Sequence, residues 1–230
     1  VNDGRRSKPA IWHTDWLVLR GMARVLGQLA QGRLRRGDRL VDLGCGEMPY
    51  RAMLEQLGVH YMGADIGGSA EVKIGPDGRT SLDAGAADAV LSVQVLEHVE
   101  DLDAYCAEIR RLLKDDGQLI LSTHGAWLYH PHPEDYRRWT RVGLTTDLAL
   151  RDLVVEEIFP VVGPLATTTL IRLTGFNFVL RKIPIVGPPL GALSAIVMNI
   201  RALVEDRLTP FQMRLDNACV YMICARKAAS

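Results

Sequence analysis

The feature that most constrains the fold is residues 38–46, DRLVDLGCG, a short apolar run that ends on an acid and breaks into two glycines around a cysteine. An apolar run of this length between turn signals reads as a strand buried on both faces, the habit of parallel sheets. Gly44 and Gly46 can take backbone angles closed to other residues, and they let a ligand approach the main chain closely. A G-x-G after a strand also serves as a plain tight turn, so the pattern alone leaves a ligand site and a corner both open.

The rest of the chain repeats the alternation. Residues 14–31 carry apolar positions at helical spacing with Thr14 as N-cap, and a helix is expected from Pro49 to Leu57. Further strands are expected at 59–65, 70–75, 87–94, 117–123, 153–162 and 218–227, with helices at 101–114 and at 140–150, the latter capped by Thr140. Strands alternating with helices give an α/β, Rossmann-like, mostly parallel seven-stranded sheet with helices on both faces and a helical insertion before the last strand. The 230 residues suit one domain. It divides into an N-terminal helical lid (1–37), a ligand-binding core (38–162), a helical cap (163–209) and a final strand (210–230). Sheets of this kind bind ligands at the carboxyl ends of their strands.

Asp65 ends the second strand about twenty residues after the turn, where a carboxylate can accept both hydroxyls of a ribose. The third glycine of a G-x-G-x-x-G fingerprint would fall at position 49, which is Pro49. A pyrophosphate on a helix N-terminus, and with it a nicotinamide oxidoreductase, is therefore disfavoured.

VDLGCGEMPY, GAD ending at Asp65, DAVLSVQVLEHVED and LLKDDGQLILST together resemble class I S-adenosylmethionine-dependent methyltransferases, over residues 38–150 and the last strand. The resemblance implies S-adenosylmethionine as cofactor. Asp42, Gly44 and Gly46 would line its methionine and ribose part. Asp65, with Ile66 beside it, would hold the ribose hydroxyls. Asp77, with Asp83 as rival, would meet the adenine amine, and Gln94 would pass beneath the methionine end.

Residues 122–140, STHGAWLYHPHPEDYRRWT, begin where the fifth strand ends. Aromatic rings, imidazoles and carboxylates in one loop suit a hydroxyl-rich or ring-bearing acceptor. The acceptor contacts expected are Trp127, Tyr129, His132, Asp135, Tyr136 and Trp139. A hydroxyl is a poor nucleophile at neutral pH, so a base is needed. His124, immediately past the strand end, is the first choice, followed by His98 and His130. His130, His132 and Asp135 could instead meet a cation, although alternating prolines and histidines do not fix that geometry, and no metal is expected. The loop and the tail resemble methyltransferases of bacterial surface-polysaccharide biosynthesis, which implies a sugar hydroxyl on a nucleotide sugar or lipid-linked glycan as acceptor. A small lipid, quinone or other natural product is the alternative acceptor. A cofactor-free binding module is the rival class, opposed by the intact Asp42, Gly44, Gly46 and Asp65.

Lysine and arginine balance aspartate and glutamate at 27 each. That balance, with no basic aromatic stripe, opposes a nucleic-acid partner. Four cysteines without framework spacing read as reduced thiols, and the start VNDGRRSKPA lacks the apolar core of a signal peptide. A cytoplasmic protein is expected, peripheral at the inner membrane in one reading. The stretch 183–200 carries no charge, but Pro184, Pro188 and Pro189 are expected to interrupt a spanning helix. The insertion is then a cap over the acceptor, a homodimer surface or a membrane-interface segment.

Overall fold

The computed structural model describes residues 4–131 and 134–228. The strands are β1 (Arg39–Leu43), β2 (His60–Asp65), β3 (Val72–Lys73), β4 (Ala87–Val93), β5 (Leu113–His124), β6 (Leu153–Val161) and β7 (Val220–Lys227). The helices are α1 (Gly4–Ser7), α2 (Trp16–Arg33), α3 (Arg51–Glu55), α4 (Leu102–Leu112), α5 (Arg141–Ala149), α6 (Pro164–Leu180), α7 (Gly187–Leu208) and α8 (Phe211–Asp216). The seven strands form one sheet in the order β3-β2-β1-β4-β5-β7-β6. β1 to β5 pair in parallel, and β7 runs antiparallel between β5 and β6. This is the Rossmann-like methyltransferase architecture expected.

Neighbouring residues on a strand face opposite sides of the sheet. Leu40, Leu91, Ile120 and Met222 pack against α2, α3, α6 and α7, whereas Val41, Val90, Leu119 and Ile223 pack against α4 and α5. Both faces are covered, which is why the central strands are apolar throughout.

Several boundaries differ from expectation. Thr14 does not cap α2. Asp15 precedes the helix instead, and its carboxylate bonds Arg5 at 2.6 Å rather than a helix amide. α3 starts at Arg51, two residues after Pro49. β5 begins at Leu113 because α4 runs straight into it, and the surplus residues before Gln118 are absorbed as a bulge against β4. Pro188 and Pro189 do not interrupt a helix. They lie in the first turn of α7, where a missing N–H costs nothing. The short α8, between the insertion and the last strand, was not anticipated. Thr140 does cap α5, accepting the Gly143 amide at 3.0 Å.

Candidate active site

The carboxyl ends of β1, β2, β4 and β5 converge on one edge of the sheet. At the end of β1, Asp42 is buried and bonded by the Tyr61 hydroxyl from β2. Burial, opposed by that hydroxyl, pushes Asp42 up to about 7. Tyr50, at the start of α3, is also buried, and its hydroxyl has no hydrogen-bond partner among the described residues. The turn after β1 is held by Ala64 and Asp65. Gly44 donates to the Ala64 carbonyl at 2.8 Å, Gly46 donates to Asp65 Oδ2 at 2.8 Å, and Gly67 donates to Asp65 Oδ1 at 3.1 Å.

The two glycines have different reasons. A Cβ on Gly44 would lie 2.6 Å from the Val95 side chain, so that residue serves packing, at φ +83°. A Cβ on Gly46, at φ +52°, would meet nothing within 4 Å. Gly46 therefore presents bare backbone to open space beside Asp65.

Gln94 follows β4 at φ +57°, a strained angle for a side-chain-bearing residue, and its amide donates to the Ser122 carbonyl at 3.0 Å. Just beyond it, a single 3-10 turn at Leu96–His98 buries Glu97 completely. Glu97 Oε2 accepts the Thr123 hydroxyl at 2.8 Å, and Oε1 lies 3.5 Å from His124 Nε2. His124, at the end of β5, is 5% exposed and its Nδ1 has no partner among the described residues. Trp127 stacks on its ring at 6.2 Å between centroids, and His130 meets it edge-on at 4.7 Å. The next imidazole outward is His98, 5.0 Å from His130, with Nδ1 2.6 Å from the Glu134 carbonyl. The four groups form a file from the buried Glu97 to the partly exposed His98. Burial raises Glu97 and holds His124 well below the usual imidazole value, and burial also lowers His130 against the pull of Asp135. Glu97, His124 and His130 each offer a donor atom within 4.8 Å of the others, so this trio is the group among the described residues that could take a metal ion, whereas the set of His130, His132 and Asp135 lies partly outside them.

The acceptor loop divides between scaffold and surface. The Asp135 side chain is buried, bonded by Arg138 at 2.6 Å and by the His130 amide at 2.9 Å. That bond to Arg138 holds Asp135 well below the usual carboxylate range. Trp139 is a core residue whose indole donates to Asp147 at 2.8 Å. Tyr129 and Tyr136 are exposed, and Trp127 is half-buried over His124. His132 lies outside the described residues. Ile66 is exposed beside Asp65. Asp77 sits in the turn after β3, where it accepts the Arg79 amide at 3.2 Å, and no described hydrogen bond or ion pair joins it or Asp83 to Asp42 or Asp65. The sequence reading assigned no role to Tyr50 or Tyr61.

These groups fit S-adenosylmethionine. Asp65 would offer carboxylate oxygens to ribose hydroxyls, Gly46 leaves open space beside it, and the buried Asp42 and the Tyr50 hydroxyl, without a partner among the described residues, would offer further polar contacts. The sequence matches the methyltransferase domain family over residues 17–177. A ubiquinone biosynthesis O-methyltransferase of Cereibacter sphaeroides is 33% identical over 103 residues, covering 38% of this chain and 42% of that protein. The match thus spans well under half of the curated relative. Among solved structures, Burkholderia thailandensis 1,6-didemethyltoxoflavin-N1-methyltransferase, with bound S-adenosylhomocysteine, aligns with a TM-score of 0.57 at 17% identity over 90% of this chain and 78% of its own. Geranyl diphosphate C-methyltransferase from Streptomyces coelicolor, also with S-adenosylhomocysteine, aligns with a TM-score of 0.53 at 16% identity over 94% and 86%. The chain belongs to the methyltransferase domain family.

Proposed function

We propose that this enzyme methylates a hydroxyl oxygen, and that the acceptor is a phenolic ring of the quinone-precursor type. The observation that carries the reading is the file Glu97, His124, His130 and His98, which leads from a buried carboxyl to a half-exposed imidazole at the ends of β4 and β5. Transfer to oxygen releases a proton, and imidazoles kept neutral by burial are ready to take it. S-adenosylmethionine, when bound, supplies a methyl group already activated for transfer. The protein's share is alignment and proton removal. Asp65 and Gly46 hold the ribose side, with Asp42 and Tyr50 beneath. His130 takes the acceptor's proton, and His124 and Glu97 fix its ring from behind. The relative's name supports the quinone class, and the half-buried Trp127 offers an aromatic ring a surface to stack on.

A sugar hydroxyl, as in surface-polysaccharide biosynthesis, is the second reading. It is favoured by the exposed Tyr129 and Tyr136, which present hydroxyls at the loop surface. The four described cysteines are free and buried, which supports a reducing, cytoplasmic setting. The test is methyl transfer from labelled S-adenosylmethionine to a panel of catechols, polyprenylated phenols and nucleotide sugars. Turnover of the phenols alone supports the proposal, and turnover of the sugars alone overturns it in favour of the second reading.

A further inference from the structure

We infer that the α6–α7 hairpin is a membrane-interface device that seats the enzyme on an anionic bilayer. The inference rests on the quinone-type reading only for its purpose, since such acceptors carry lipid tails. The hairpin itself is argued from its own surface.

The two helices are built inside out for water. α7 turns its small residues inward: Gly187, Gly191, Ala195 and Ala202 are buried. A Cβ at Gly187 would lie 2.1 Å from the Leu180 carbonyl oxygen, so α6 and α7 touch through backbone. Its large apolar residues form the opposite stripe. Leu190, Leu193, Val197, Ile200, Val204 and Leu208 follow one another at three- and four-residue steps, and all are exposed. A helix that buries alanine and glycine while showing leucine and isoleucine has the pattern of a lipid-facing helix. On α6, Phe176, Phe178 and Val179, in the last turns before the tip, are exposed as well. At the tip, Ile185 is 91% exposed and held at φ +65°, a strained angle for a β-branched residue.

Charge selects the bilayer as occupant. Between Glu157 and Glu205 the chain has no acidic residue but has Arg172, Arg181, Lys182 and Arg201, in a protein of zero net charge. Arg181 and Lys182 sit beside the tip, and Lys182 Nζ lies 4.5 Å from the Phe178 ring centre. Cations beside exposed aromatic and aliphatic groups match anionic headgroups over acyl chains. α7 is long and apolar enough to cross a membrane. It is anchored to the domain at mid-length, however, where the Asn199 amide donates to the carbonyls of Ile11 and His13 at 2.7 and 2.8 Å. An anchored helix lies in the interface and does not span.

The test is co-sedimentation of the full chain with vesicles of phosphatidylcholine alone and with phosphatidylglycerol added, without acceptor or cofactor. Binding to the anionic vesicles, weakened at least tenfold by Ile185→Asp with Leu193→Asp and also by Arg181→Gln with Lys182→Gln, is expected. Both variants alter exposed residues, and unchanged melting temperatures confirm their folding. No vesicle binding by the wild type overturns the inference. A dimer in solution that Leu193→Asp dissociates, with no vesicle binding, assigns the face to a second copy instead. Vesicle binding by an enzyme that methylates only sugars keeps the interface and overturns the acceptor reading.

Discussion

Asp65, at the end of β2, accepts the amide of Gly46 at 2.8 Å and so ties the turn after β1 to the neighbouring strand. Under the proposed function the same carboxylate holds the ribose hydroxyls. Asp65→Ala removes both the tie and the ligand's acceptor. Hydrogen bonds to a charged group contribute about 1.5–3 kcal/mol each, so roughly a hundredfold loss of affinity for S-adenosylhomocysteine is expected. Calorimetric titration of the wild type and variant measures it. Equal affinity would remove Asp65 from the cofactor site.

Asp42 makes stability depend on pH in an unusual direction. Its folded value of about 7 lies above the ordinary 3.8, because burial outweighs the Tyr61 hydroxyl. A raised value means that the folded state holds the proton more tightly than the unfolded chain does. The contribution to stability is full below pH 4 and declines as pH rises to about 7, beyond which it is flat. The decline is of the order of a few kcal/mol. Asp42→Asn carries no such term, so its melting temperature should gain on the wild type between pH 4 and pH 7. Parallel melting curves across that range would show that Asp42 titrates normally.

The sheet and the cofactor turn were legible because their residues carry local signals. An apolar run, a terminal acid and two glycines mark β1 and its turn whatever the tertiary context. The proton file was only partly legible. His124, His98 and His130 stood out as histidines near strand ends. That Glu97 is buried against His124, 27 positions on, and that His98 meets His130, 32 positions on, depends on contacts no local pattern encodes. Trp139 and Asp135, expected as acceptor contacts, are found braced inside the fold, Trp139 on Asp147 and Asp135 on Arg138, for a related reason. A polar aromatic loop looks the same whether its members face the acceptor or brace the backbone, and only packing separates them. The prolines of α7 were read as breakers because a sequence does not show that a helix starts there.

Gln94 is held at φ +57° between β4 and the Leu96–His98 turn. Relief of a left-handed angle is worth about 1 kcal/mol. Glycine costs a similar amount in chain entropy. Gln94→Gly should therefore unfold in urea within about 0.5 kcal/mol of the wild type, whereas Gln94→Val, β-branched at the same angle, should lose about 1–2 kcal/mol. If valine is tolerated as well as glycine, the backbone there is not constrained as described.

The imidazole file predicts a pH profile. A base works when neutral, and burial lowers His130 below the ordinary 6.5, with Asp135 pulling the other way. The rate should fall on the acid side below pH 6.5 and stay level from there to pH 8. General bases contribute about 10²–10⁴-fold, so His130→Gln should reduce kcat by roughly a hundredfold or more, with S-adenosylhomocysteine affinity unchanged. His124 touches His130 edge-on and Glu97 through Nε2, so under the proposed function it positions the base. His124→Gln should lower kcat less than His130→Gln does and should shift the acid limb, because a buried ring in edge contact with His130 is gone. A His124→Gln enzyme with the full wild-type rate and an unmoved limb would show that the buried end of the file takes no part. The reverse order, with His124→Gln the more damaging change, would make His124 the base and require Trp127 to move aside when the acceptor binds.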